Sequence, residues 1–158
     1  YSHFGYNLKV TDLQAAVGVE QLKKFPSFIE RRRHNWERLH KALECIQDKI
    51  ILPEPAENSR PSWFGFLISV RPETGIERNK ITRYIEEHNV QTRLLFSGNI
   101  IKHPCFDQIR DTDAYRVSGD LSETEFVMNN TFWVGVYPGM TDVMIDYMAE
   151  IIKDAVNL

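Results

Sequence analysis

The chain has 158 residues, with 19 Lys plus Arg against 22 Asp plus Glu, a formal charge of −3 that rises to about +2 when all five His are protonated. With 42% hydrophobic and 26% charged residues, this is the profile of one globular domain and not of a disordered chain. The single dense basic cluster, Arg31-Arg32-Arg33, is diluted by Glu30 and Glu37, which argues against nucleic acid or another polyanion as a partner.

The longest uncharged apolar stretch, Trp63 to Val70, falls far short of the roughly 20 residues of a membrane-spanning helix, so no membrane role is expected. Cys45 and Cys105 lie sixty residues apart and give neither a disulfide framework nor a paired metal site, so a cytoplasmic protein is expected. The sequence opens at Tyr1 without a methionine, and Tyr-Ser-His-Phe-Gly-Tyr-Asn resembles neither a signal peptide nor a targeting segment. A piece of a longer protein is the expectation.

Residues 1–10 read as an irregular lead-in. Thr11-Asp12-Leu13-Gln14 then has the Thr-x-x-Gln spacing of a capping box, which predicts a helix running to about Phe25 and breaking at Pro26. From Ser27 a second helical period follows, with Ile29, Trp36, Leu39, Leu43 and Ile46 on one face. Pro53, Pro55 and Pro61 mark a loop. Trp63–Val70 reads as a buried strand, Arg78–His88 as a helix with Ile81, Tyr84 and Ile85 inward, and Val90–Phe96 as a second strand. After a loop from Ser97 to Pro104, Ser122-Glu123-Thr124-Glu125 has capping-box spacing for a short helix to about Asn130. Phe132–Val136 is a third strand, ended by Pro138-Gly139. Thr141 caps a last helix whose expected apolar stripe is Val143, Met144, Tyr147, Met148, Ile151, Ile152 and Ala155. Two helices followed by strands interleaved with helices give an α/β, α+β-like two-layer sandwich, a small sheet covered by helices.

Local catalytic motifs are absent: there is no Gly-rich phosphate loop, no nucleophile elbow, no His-Glu-x-x-His pair and no spaced Cys cluster. His34 and His40 within the long helix read as packed or surface residues, and Glu86-Glu87 and Glu123/Glu125 as solvated faces or helix starts. Two polar loops stand apart from this background. One is Gly5-Tyr6-Asn7, directly before the first helix. The other runs from Arg93 to His103 and gathers Arg93, Ser97, Asn99, Lys102 and His103 beside Leu94, Leu95 and Phe96. An Asn7 amide can donate to a phosphate oxygen and an Arg93 guanidinium offers a forked donor pair, yet the residues taken alone favour a turn residue and a strand-edge charge.

The segment Gly5-Tyr6-Asn7-Leu8-Lys9-Val10-Thr11-Asp12-Leu13-Gln14-Ala15-Ala16, continued by Gly18, Gln21-Leu22 and the three-arginine helix, resembles the DegT/DnrJ/EryC1/StrS sugar aminotransferase family. Trp63-Phe64-Gly65-Phe66, Thr92 to Asn99 and Met128 to Gly139 look most like its branch of CDP-4-keto-6-deoxy-D-glucose 3-dehydrases. The loop Phe96-Ser97-Gly98-Asn99-Ile100-Ile101-Lys102-His103-Pro104 lacks the Pro-x-His element of the ordinary aminotransferases, which favours that branch. The resemblance implies a vitamin B6 enzyme of the aspartate aminotransferase fold. Residues 1–25 would be a linker and first helix from its large domain and residues 26–158 its C-terminal small domain, the chain opening with a pair of long helices at its N-terminus.

By the same resemblance Asn7, with Tyr6 beside it, serves the pyridoxal or pyridoxamine phosphate of the partner subunit in a homodimer, while Arg93, Phe96, Asn99 and His103 line the sugar-nucleotide side. No catalytic residue and no metal ligand is expected in these residues. A [2Fe-2S] cluster and a His replacing the usual Schiff-base lysine would lie in the absent upstream part, with an NADH-dependent iron–sulfur flavin reductase as electron source. A sugar aminotransferase is the close alternative, told apart by a Lys at the upstream cofactor position. A non-catalytic interaction domain is the alternative of another class.

Overall fold

The computed structural model describes residues 3–6 and 8–158. Its first element is α1 (Asp12–Leu43), a single helix of 32 residues. The capping box forms as expected: Thr11 Oγ1 accepts from the Gln14 N–H at 3.4 Å, and Gln14 Oε1 accepts from the Thr11 N–H at 3.0 Å. The expected pair of helices is instead one helix that passes through Pro26. Proline removes one helical N–H, but residues 11–28 are all exposed, so water can satisfy the freed carbonyl.

The remaining elements are β1 (Ile50–Ile51), β2 (Gly65–Val70), α2 (Arg78–Glu87), β3 (Thr92–Leu94), α3 (Ser122–Asn130), β4 (Thr131–Gly135) and α4 (Asp142–Ala155). The four strands form one antiparallel sheet in the order β1-β2-β4-β3, with Leu67 opposite Trp133 and Arg93 opposite Trp133 on its other side. The alternation of a strand sends Phe66, Ile68 and Val70 of β2 and Phe132 and Val134 of β4 to one face, all fully buried. Against them pack Trp36, Leu39 and Leu43 of α1, Ile81 and Ile85 of α2, and Ile145, Met148, Ala149 and Ile152 of α4. Each of these large side chains contributes about 1.5–3 kcal/mol by leaving water. The expected two-layer class is the observed one.

The three arginines of α1 are tethers, not a polyanion patch. Successive helical positions point about 100° apart, so Arg31 reaches the segment that leads into α4 while Arg32 and Arg33 reach the proline loop. Arg31 donates to Met140 O at 2.7 Å and to Asp142 at 2.7 Å, Arg32 to Trp63 O at 2.8 Å, and Arg33 to Pro61 O at 3.0 Å and Arg60 O at 2.7 Å. The proline loop is thereby laid along the helix, where Trp63 stacks on Trp36 at a centroid distance of 4.3 Å and 6°. His34 and His40 are structural as expected: His34 meets Asp142 at 3.0 Å and His40 stacks on Trp36. On the last helix the expected stripe is shifted. Ile145 and Ala149 enter the core, while Val143, Met144 and Tyr147 remain exposed. Among the described residues no helix is long and apolar enough to cross a membrane.

Candidate functional site

The first candidate element is the lead-in to α1. Its described residues, 3–6 and 8–10, are all exposed, with Phe4, Tyr6, Leu8 and Val10 at alternate positions and the Tyr6 side chain 91% accessible. Their surfaces are open to solvent. Asn7 lies outside the described residues.

The second element is the polar loop after β3. Strand β3 ends where the Phe96 N–H donates to Leu94 O at 2.9 Å, a three-residue turn that puts Phe96 at φ +50°. A left-handed phenylalanine is costly, and here it leaves the ring 90% exposed at the loop tip. From there the loop is tied to α3. The Asn99 Nδ2 donates to Glu125 Oε1 at 3.4 Å, Lys102 Nζ sits 2.6 Å from the same carboxylate oxygen, and the Asn99 N–H meets Met128 Sδ at 3.3 Å. Gly98, at φ +61°, lies so close to α3 that an added Cβ would be 2.3 Å from Met128 Cγ. The His103 Nε2–H donates to Ser97 O at 2.6 Å, closing the loop on itself, and Arg110 donates to Ile101 O at 3.0 Å.

The four residues singled out as substrate-facing therefore divide. Phe96 is exposed and lines a recess of about 400 Å³ with Ser97, Gly98, Glu123 and Val127. Asn99 is only 2% exposed, and its amide is directed at Glu125, so in this structure it fastens the loop and does not face solvent. His103 is half-buried and also binds loop backbone. Arg93 is exposed on the sheet face opposite the core, beside Trp133, and opens on a different cavity of about 610 Å³ lined by Trp133, Tyr137, Met144 and Tyr147. Arg93 and Phe96 thus line separate recesses.

Glu125 is the residue that sequence reasoning misplaced. Its capping-box spacing with Ser122 is not used: Leu121 is the N-cap, at φ +58° with no side-chain cap, and it is Asp120 that accepts from the Ser122 N–H at 3.0 Å and its hydroxyl at 2.9 Å. Those two bonds hold the Asp120 carboxyl below the usual carboxylate range, the backbone one foremost. Glu125 is left for the loop, 23 to 26 residues earlier, a distance over which no local signal exists. Trp133 did carry a signal, since it falls on the solvent phase of a strand whose alternate residues are core. Its ring lies over Gly65, where a Cβ would stand 2.5 Å from it, and meets Phe64 at 5.2 Å.

A cation fork beside aromatic rings suits a planar or anionic ligand. No group of three metal-ligating side chains occurs among the described residues, and Cys45 and Cys105 are free and exposed.

The pattern that defines the DegT/DnrJ/EryC1/StrS aminotransferase family matches residues 1–153. The chain belongs to that family. It is 47% identical over 99% of its length to a dTDP-4-dehydro-2,6-dideoxy-D-glucose 3-dehydratase of Saccharopolyspora spinosa. It is 43% identical over 95% of its length to the lipopolysaccharide biosynthesis protein RfbH of Salmonella typhimurium. The chain spans about a third of the length of these relatives, 33% in each case. Among solved structures it resembles the E. coli GDP-4-keto-6-deoxy-D-mannose-3-dehydratase with bound hydrated PLP, with a TM-score of 0.77 at 28% identity, covering 94% of this chain and 36% of that one. The small antiparallel sheet with its covering helices is thus the small-domain part of the fold type that carries this family of pyridoxal phosphate proteins, as the motifs implied.

Proposed function

We propose that this chain is the C-terminal part of a nucleotide-sugar 3-dehydrase. In the full-length protein it would serve a pyridoxamine phosphate-dependent removal of the C3 hydroxyl from CDP-4-keto-6-deoxyglucose, toward the 3,6-dideoxyhexoses of lipopolysaccharide O-antigen. The observation that carries the reading is the 47% identity to a 3-dehydratase over nearly the whole chain. The loop that lacks a Pro-x-His element agrees with it. On this reading residues 1–25 belong with the large domain and residues 26–158 form the small domain, in keeping with packing that begins only at Ile29.

The lead-in fits a cofactor held in trans. Tyr6 projects a free phenol away from its own body, and the neighbouring Asn7 would add a directional amide donor to the phosphate of the partner subunit's cofactor in a homodimer. When bound, the cofactor supplies an amine for the C4 ketone and a ring that accepts electrons as the C3 hydroxyl leaves. The residues of this chain bind and orient. Arg93 offers its fork to an anionic group of the sugar nucleotide, Phe96 presents an aromatic face, and Asn99 and His103 hold the loop that carries Phe96. The [2Fe-2S] cluster of the proposal, and the NADH-dependent flavin reductase that would feed it, belong with residues outside this chain, because Cys45 and Cys105 do not form a four-thiolate site.

The test is to reconstitute the full-length protein with pyridoxamine phosphate and offer it CDP-, dTDP- and GDP-linked 4-keto-6-deoxyhexoses. Loss of the C3 hydroxyl, greatest with the CDP sugar, is expected. Formation of a 4-amino sugar from glutamate would establish the aminotransferase instead, and no cofactor effect at all would establish an interaction domain. The 158 residues alone should catalyse nothing and retain no absorption between about 330 and 420 nm after dialysis with the cofactor.

A further inference from the structure

We infer, resting on the reading that Phe96 faces the sugar nucleotide, that Glu125 is a positioning residue for substrate binding. It holds the loop after β3 in the conformation that presents the Phe96 ring, without touching the substrate itself. Phe96 is a backbone outlier, at φ +50°, which a bulky L-residue avoids. Its ring is 90% exposed, so packing of the ring does not offset the strain. A strained residue persists only where its surroundings over-determine it. Here the restraint comes from the residues that follow it in the loop.

Two of those residues converge on one carboxylate oxygen. Asn99 Nδ2 donates to Glu125 Oε1 at 3.4 Å, and Lys102 Nζ lies 2.6 Å from the same atom. The short 3₁₀ turn Ile100–Lys102 sets the two donors three residues apart, a spacing at which 3₁₀ side chains fall on one side. The other ties of the loop are the contact of Gly98 with Met128 and the His103 bond to Ser97 O, so Glu125 carries the charge-assisted contacts to α3. The recess that Phe96 lines takes its α3 wall from Glu123, Thr124 and Val127, not from Glu125. Glu125 therefore acts through the loop. Asn99 is only 2% exposed, so loss of its acceptor strands a buried donor, and the loop must open to give that amide water. Phe96 is then free to leave its left-handed conformation. The Lys102–Glu125 pair is partly exposed on both sides, 52% and 36%, and adds little to global stability, so its loss shifts the loop without unfolding the body.

Steady-state kinetics of the full-length protein test this, with the nucleotide sugar that it turns over fastest. Glu125→Ala should raise KM about tenfold and leave kcat within about twofold, as expected for lost binding without lost chemistry. Glu125→Gln keeps an Oε1 acceptor for Asn99 and gives up only the charge, so its KM should stay within about threefold of the parent. Phe96→Ala should raise KM about tenfold by itself, and Glu125→Ala added to it should change KM no further. In the 158-residue chain, Glu125→Ala should speed hydrogen exchange at residues 98–103 at least about tenfold with the urea midpoint nearly unchanged. An unaltered KM in Glu125→Ala, where Phe96→Ala raises it, overturns the inference and leaves the reading of Phe96 standing. Additive effects of the two changes overturn it as well, because Glu125 would then act by a route of its own. An unaltered KM in Phe96→Ala, or no turnover of any nucleotide sugar, overturns that reading and this inference with it.

Discussion

Replacing Gly98 by alanine tests how the loop after β3 is held. Two costs are separable. The backbone there has φ +61°, where an L-residue is disfavoured by roughly 1 kcal/mol. The new methyl would also stand 2.3 Å from Met128 Cγ and 2.7 Å from Met128 Cβ. The Cβ is fixed to the α3 backbone and cannot move aside unless the helix does, so overpacking adds about 1–3 kcal/mol. The total expected for Gly98→Ala is about 2–4 kcal/mol, read from urea unfolding and from hydrogen exchange of residues 95–103. Met128→Ala removes the Cγ and Sδ contacts and leaves only the Cβ at 2.7 Å, so in that background the same glycine change should cost less, the difference appearing as coupling in a double-mutant cycle. A cost below about 0.5 kcal/mol, or one unchanged by Met128→Ala, would refute the close approach of loop and helix.

The α1–α4 ion network predicts an acid limb. Asp142 is held below the usual carboxylate range chiefly by the Arg31 hydrogen bond and then by that of His34, and Asp146 chiefly by Arg38. A folded-state value below the unfolded 3.8 means that the stabilisation is complete above that pH and fades as pH falls through the folded value. The urea midpoint of the parent should drop on going from pH 6 to pH 3, and Asp142→Asn with Asp146→Asn should flatten the drop; an equal drop in both refutes it. Pro26→Ala should slow amide exchange across residues 12–28 by up to about a hundredfold while leaving the urea midpoint of the packed body unchanged, and a shift of that midpoint would show this stretch to be coupled to the core. Phe66→Ala, at a fully buried position between sheet and helices, should cost about 3–5 kcal/mol, and a cost under 1 kcal/mol in urea unfolding would contradict the packing.

Most elements were open to local reading because their signals are local. Thr11 with Gln14 and Thr141 at the head of α4 both cap as expected, the alternation of Phe66, Ile68 and Val70 marks a strand, and Arg78 begins a helix. Where two local signals compete, the fold decides between them. Pro26 signals a break, but an exposed helix tolerates the loss of one N–H. Ser122 and Glu125 signal a box, but a carboxylate that finds a lysine and an amide from another segment gains more there than at its own helix start. The candidate site was partly open to the same reading: Arg93 and Phe96 are exposed, whereas the burial of Asn99 follows from a partner 26 residues away.

The amino-acid sequence by itself determined the two-layer class, the apolar faces of the elements and the family, because periodicity, capping and short motifs are properties of neighbours along the chain. Only the tertiary structure decided that one helix runs through a proline, that three arginines act as loop tethers, and that Arg93 and Phe96 open on different recesses. Those outcomes depend on which distant groups meet, and the free energy of a meeting between distant groups is carried by both partners together and written at neither position alone.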